Sequence, residues 1–116
     1  MESTYIPNLV EREVVKGVST YFINIDIFFN GNMYEYEPIE VKYERWDYGG
    51  IIDALVTYKY PNDKMQSVIN NYLLDPTDEA IVKEFTEMQA WRKEAKEIAK
   101  QALIESGVNP PSLIGN

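Results

Sequence analysis

Apolar residues recur every three or four positions along residues 81–102, the spacing that places side chains on one face of an α-helix. Residues 75–107 are therefore predicted to form one long helix. Asp75 is positioned to cap its first turn, and Ser106-Gly107 ends it. Such a helix is longer than a compact domain of this size is wide, so part of it is expected to overhang or to meet a partner.

The second half of this helix carries a short heptad-like seam formed by Met88, Trp91, Ala95, Ile98 and Ala102. The seam covers about two heptads, whereas three to four are typical of a coiled coil. It is expected to pack on a sheet or on shorter helices of the same chain. A self-paired helical hairpin or dimer with Trp91 as its anchor is the alternative.

The N-terminal half alternates apolar and polar residues with a period of two, which predicts antiparallel strands. Residues 9–18 indicate an edge strand with a bulge or bend at Gly17. Residues 19–29 give the strongest strand signal. One face of that strand is predicted to carry Tyr21, Ile23, Ile25, Ile27 and Phe29.

The dipeptide Asn30-Gly31 predicts a two-residue type I′ turn, because both residues tolerate positive φ. The return strand then begins at residue 32 or 33. Pro38 cannot donate to a strand ladder, so a bulge or break is predicted at Glu37-Pro38. Residues 39–46 are predicted to form a third extended stretch, and residues 1–8 a loose arm.

Residues 50–60 predict a short helix, although part of this run also fits a strand. A second helix is predicted to begin at Pro61-Asn62-Asp63, with Asn62 as its cap, and to end at Asp75-Pro76, because the residue before a proline is pushed out of the helical region. The fold class is therefore α+β. An N-terminal antiparallel hairpin or meander of about three strands precedes two short helices and one long C-terminal amphipathic helix. Residues 1–107 are expected to form a single domain, followed by a flexible tail at residues 108–116.

Composition excludes several kinds of chemistry. The chain has 116 residues with a formal net charge of −8, and it contains neither cysteine nor histidine. Disulfides, histidine-based triads and His/Cys zinc sites are therefore excluded. The acidic surface repels phosphate backbones, so direct nucleic-acid binding is not expected. No membrane span or secretion signal is visible, and a cytoplasmic location without membrane contact is expected.

Carboxylates offer the remaining candidate chemistry. Glu35, Glu37 and Glu40 are the densest acidic set of the predicted sheet, and carboxylate oxygens can bind Ca²⁺ or Mg²⁺. The spacing of a calcium loop is absent, which favours an ordinary solvated strand face. No catalytic, cofactor-binding or metal-binding residue is assigned, no cofactor is expected, and enzymatic activity is not expected.

The best functional signal is a surface for protein contacts. The return strand is rich in tyrosine, a residue enriched at interfaces, and the helical seam is a second apolar surface. The candidate contact residues are Tyr34, Tyr36, Tyr43, Met88, Trp91 and Ile98. They predict a non-enzymatic structural or interaction protein that self-associates or joins a larger assembly. The alternatives are an acidic inhibitor or decoy of a basic nucleic-acid-binding partner, and a carboxylate-based enzyme or divalent-metal protein.

The order of the predicted elements also carries a resemblance. A small acidic hairpin, a helical pair and a charged helix with Trp91 together resemble short proteins of phages and bacterial mobile elements. This resemblance implies such an origin. It rests on no motif specific to one family, and it assigns no functional residue.

Overall fold

The computed structural model describes residues 1–107, which form one antiparallel sheet followed by three helices. The strands are β1 Glu2–Ser3, β2 Val10–Val15, β3 Val18–Phe29 and β4 Tyr34–Lys42, and they lie in the order β1-β4-β3-β2. A short 3₁₀ helix, Tyr43–Arg45, leads to α1 Tyr48–Lys59, α2 Asn62–Leu74 and α3 Glu79–Glu105. The predicted α+β class is confirmed, with four strands instead of about three. The predicted flexible tail lies outside the described residues.

The first residues, predicted to be a loose arm, supply the additional strand. Glu2 and Ser3 pair with the start of β4, so β1 covers one edge of the sheet. The chain then crosses to the opposite edge, where β2 begins. Pro7 is buried in this crossover, and the carbonyl oxygen of Asn8 accepts a hydrogen bond from Asn24 Nδ2 at 2.7 Å. The crossover therefore covers part of the sheet face that carries Asn24.

The predicted edge strand is confirmed as β2, which pairs on one side only, with β3. The turn between these strands is Lys16-Gly17, and both residues have positive φ, 51° and 80°. Positive φ at both central positions is the requirement of a type I′ turn. Gly17 therefore lies in a hairpin turn rather than in a strand bulge.

The predicted break at Glu37-Pro38 is wrong, because Pro38 pairs with Asn24 inside a continuous β4. The backbone N–H of Asn24 donates to Leu9 on the β2 side. Residues opposite each other in an antiparallel pair direct their backbone polar groups either toward each other or both away. The nitrogen of Pro38 consequently points away from β3, and its missing hydrogen costs no bond in this ladder.

The bulge lies on β3 instead. Its register with β4 shifts between Ile25 and Phe28, where Asp26 and Ile27 oppose one residue. Asp26 adopts a φ of 54°, the left-handed conformation that marks this kind of bulge. The predicted alternation holds through Ile25 and fails beyond it. As a result, Ile27 is 37% exposed and Phe29 is 55% exposed.

The predicted hairpin between β3 and β4 is present, but its turn is displaced by one residue. The N–H of Asn30 donates to the carbonyl of Met33 at 2.9 Å, so Gly31 and Asn32 form the tip. Asn30 keeps negative φ, and its Oδ1 accepts from the N–H groups of Asn32 and Met33. Asn30 therefore closes the turn with its side chain instead of supplying positive φ.

The predicted extended stretch at 39–46 ends early, because the chain turns into the 3₁₀ helix after Lys42. The predicted first helix is confirmed as α1. Asp47 caps it, with Oδ1 accepting from the N–H of Gly50 at 2.7 Å. The second helix ends at Leu74, immediately before the predicted end at Asp75-Pro76. Asn62 is its first helical residue rather than its cap, and the capping position is Pro61.

The long helix starts later than predicted, because Asp78 rather than Asp75 caps it. Asp78 Oδ1 accepts from the N–H of Ile81 at 3.1 Å. Asp75 Oδ1 instead accepts a 2.9 Å hydrogen bond from the hydroxyl of Thr77 in the preceding turn. The predicted end at Ser106-Gly107 is confirmed, with Gly107 at a φ of 80°.

Asp78→Ala is expected to lower the free energy of unfolding by about 1 kcal/mol, because it removes an N-cap acceptor. Asp75→Ala removes only a turn contact and is expected to cost less. Urea denaturation followed by circular dichroism measures both variants. A larger loss for Asp75→Ala would contradict Asp78 as the cap.

The core lies between one face of the sheet, called here the inner face, and the helices. Trp46 stacks on Tyr21 with ring centroids 4.0 Å apart, and its indole N–H donates to Ser106 Oγ at the end of α3. The seam of α3 packs within the chain, on the same cluster as α1 and the sheet. This buried cluster comprises Ile23, Ile25, Ile39, Val41, Trp46, Ile51, Leu55, Val56, Trp91, Ala95, Ala99, Ala102 and Leu103.

Candidate functional site

Two of the six predicted contact residues are buried in the chain. Met88 is fully buried, and Trp91 is 7% exposed. The indole N–H of Trp91 donates to the carbonyl of Leu55 at 3.0 Å, and Lys59 Nζ lies 4.1 Å from the ring centroid. Both the ring face and the N–H of Trp91 therefore have partners within the chain. Met88 and Trp91 therefore hold the fold together, and the prediction that they present a contact surface is corrected.

The other four do not form one surface. Tyr36 is largely buried, and Tyr34 is half-buried beside Phe29, with ring centroids 5.1 Å apart. Tyr43 is 64% exposed, but it follows the opposite end of β4 from Tyr34. Ile98 is half-buried on α3. Sequence spacing found residues of the right type, but the fold separates them.

The outer face of the sheet, opposite the core, holds a small pocket. Asn24 pairs with Pro38 and Phe22 pairs with Glu11 across neighbouring strands, so these four side chains alternate with the inward-facing residues. The pocket has a volume of about 160 Å³. This outer-face pocket is lined by Met1, Glu11, Glu13, Phe22, Asn24, Tyr36 and Pro38.

Asn24 gives this pocket an unusual polar wall. Its side chain is 1% exposed, and its Nδ2 donates to the carbonyl of Asn8. A carbonyl only accepts, so this contact fixes which atom of the amide faces Asn8. Among the described residues, Asn24 Oδ1 has no hydrogen-bond partner. A buried acceptor without a donor costs about 1–3 kcal/mol, and Oδ1 is the atom of Asn24 that carries this cost.

The predicted acidic set does not converge on one site. Glu35 Oε2 accepts from Asn30 Nδ2 at 2.8 Å, and Glu37 Oε2 accepts from the hydroxyl of Tyr58 at 3.0 Å. The hydrogen bond to Glu37 is the main reason that the pKa of Tyr58 is raised. Glu40 is exposed. Within residues 1–107, no group of three or more carboxylates is placed to hold a metal ion.

A second surface is the helical arm, defined here as α2 with residues 79–90 of α3. α2 packs mainly on α3, and Val68 and Met88 are the arm residues that are fully buried. Tyr72 and Phe85 stack between the two helices with centroids 4.1 Å apart. Leu73 and Leu74, at the end of α2, are 71% and 84% exposed. Across residues 1–107, no helix combines the length and apolar character needed to cross a bilayer.

Comparison with known proteins identified no related protein. No protein-family model, curated protein or solved structure matches the chain. The outer-face pocket was missed by sequence reasoning, which placed its acidic and aromatic residues in unrelated strand patterns. The one signal that pointed to it is Asn24, a polar residue between the apolar neighbours Ile23 and Ile25.

Proposed function

We propose that this chain is a non-enzymatic interaction protein that self-associates through its helical arm. The observation that carries this proposal is the low burial of the arm. α2 spans 13 residues, yet Val68 is its one fully buried side chain, and Leu73 and Leu74 face solvent. A second helical surface packed on the arm would bury these side chains.

The energetics of the arm favour such a partner. Ordering a residue costs about 1–2 kcal/mol in backbone entropy, and full burial of a leucine or phenylalanine side chain returns about 1.5–3 kcal/mol. The sheet and the helices packed on it offset this entropy cost with a contiguous buried core. The helical arm buries side chains only between its two helices, and its other face remains in solvent. Pairing two such hairpins into a four-helix arrangement buries the remaining apolar face.

The exposed edge of β2 is a poorer surface for self-association. Two β2 edges related by a two-fold axis would pair in antiparallel orientation. Residues directly opposite each other must lie on the same face of the sheet, so the axis has to pass through one residue, which then lies opposite the same residue of the other copy. Centring the axis on Arg12 also places Glu11 opposite Glu13 of the other copy, and centring it on Glu13 places Glu13 opposite itself. Like charges directly opposite are destabilising in a sheet.

Light scattering on a size-exclusion column, at low and high salt, tests the proposal. The native chain is expected to be a dimer or larger. Leu73→Glu is expected to raise the dissociation constant by about a hundredfold or more, because each copy loses a buried leucine and gains a charge.

Val18→Glu is the matched control, because Val18 is 60% exposed on the sheet and the change adds the same charge. The control is expected to keep the native mass. A monomer of the native chain at both salt concentrations would reject self-association, and equal effects of the two variants would reject the arm as its interface.

A further inference from the structure

We propose that the outer-face pocket binds the guanidinium group of an arginine side chain, presented by a basic segment of a partner protein. This inference concerns a different surface from the helical arm and does not depend on self-association. It rests on three features of the pocket walls: an unpartnered buried acceptor, a pair of carboxylates and two aromatic rings.

The acceptor is Asn24 Oδ1. Both nitrogen groups of Asn24 are engaged, since its backbone N–H donates to the carbonyl of Leu9 at 2.9 Å and its Nδ2 donates to the carbonyl of Asn8 at 2.7 Å. These bonds hold the amide in a fixed orientation beside the pocket. Oδ1 is closed to solvent in the structure, so a ligand N–H reaches it only when the pocket walls move apart, and it then satisfies the one buried side-chain acceptor left without a partner in residues 1–107.

The carboxylates give the ligand its charge. Glu11 and Glu13 are two residues apart on β2, so they share the outer face, and both are exposed at the pocket. One cation, the amino group of Met1, also lines the pocket and offsets one of the two carboxylates, which leaves a net charge of about −1. The amino group of Met1 donates to the carbonyl of Tyr36, and Arg12, on the inner face, donates twice to Ser19 Oγ. The pocket therefore keeps a net negative charge and attracts a cation.

The aromatic walls distinguish between cations. Phe22 and Tyr36 both line the pocket, and an aromatic face attracts a planar, weakly hydrated guanidinium. Guanidinium also carries five N–H donors in one plane, enough for Asn24 Oδ1 and a carboxylate together. An ammonium group is a compact, strongly hydrated charge and fits these walls less well. Arginine is therefore favoured over lysine.

Two-dimensional amide NMR of the full chain, titrated with the peptide acetyl-Gly-Arg-Gly-amide, tests the proposal. The side-chain amide of Asn24 is expected to shift saturably, together with the backbone amides of Glu11 and Phe22. The same peptide with citrulline in place of arginine keeps the shape and removes the charge. It is expected to bind at least about tenfold more weakly.

The variant Glu11→Gln/Glu13→Gln removes both carboxylates without touching the core, and it is expected to weaken arginine-peptide binding about tenfold. The control Glu94→Gln/Glu97→Gln removes the same charge from the exposed side of α3 and is expected to leave binding unchanged. Shifts at Glu11 without a shift at the Asn24 amide would overturn the proposal, since the cation would then stay at the rim. Equal weakening by both double variants, or equal binding of the citrulline peptide, would overturn it as well.

Discussion

Replacing Trp91 by alanine is expected to lower the free energy of unfolding by about 3–5 kcal/mol, which is typical for removing a buried indole. Trp91 packs in the main core at 7% exposure, and its N–H bonds the carbonyl of Leu55. The substitution also removes the ring beneath Lys59 Nζ. Urea denaturation followed by circular dichroism measures the loss.

Trp91→Phe is the informative control, because it keeps a ring in the core and removes the hydrogen bond. It is expected to cost clearly less than the alanine variant. The mass in solution should stay the same in both variants, provided they remain folded. A lower mass with little change in the free energy of unfolding would place Trp91 at a subunit interface and contradict its role in the core.

The case of Trp91 shows what a helical pattern can and cannot specify. The spacing of Met88, Trp91 and Ala95 defined which face of α3 is buried, and the structure agrees. An apolar stripe does not identify its partner, because the same side chains can pack on their own chain or on another. Here α1 and α2 pack against α3, and Trp91 and Ala95 join the buried cluster that includes the inner face of the sheet.

The strand errors have a different physical origin. Pro38 looked like a break because proline lacks an N–H, but the cost depends on whether that position faces β3. The pairing register of β4 with β3 decides which way the nitrogen of Pro38 points, and the sequence of a single strand does not specify that register. The bulge at Asp26 was equally invisible, since its sequence signal is a single residue that tolerates positive φ.

Competing caps explain the error at the start of α3. Asp75 and Asp78 are both good N-cap residues, and only the packing of the following turns selects between them. The outer-face pocket depends on still more distant contacts. Asn24 is buried because the crossover between β1 and β2 lies over it, and nothing in the pattern of β3 predicts that route.

Gly50→Ala is expected to lower the free energy of unfolding by about 3 kcal/mol, because the added methyl group has no room. A Cβ on Gly50 would overlap the carbonyl oxygen of Arg45 and lie 3.0 Å from the carbonyl carbon. That carbonyl already accepts from the N–H of Asp47 at 2.9 Å, which holds it in place before α1. Relief requires the backbone itself to move, and this is the costly form of overpacking.

Gly49→Ala is the matched control, one residue away in the same helical turn. Its Cβ would lie 3.7 Å from Asp47 Oδ1, an ordinary contact, so the higher helix propensity of alanine should stabilise the chain by about 0.5–1 kcal/mol. Thermal and urea unfolding of both variants compare the two effects directly. Equal changes in the free energy of unfolding of the two variants would mean that α1 and the 3₁₀ helix before it can move apart without loss of stability. The tight approach of Gly50 to Arg45 would then not be what fixes the passage from sheet to helices.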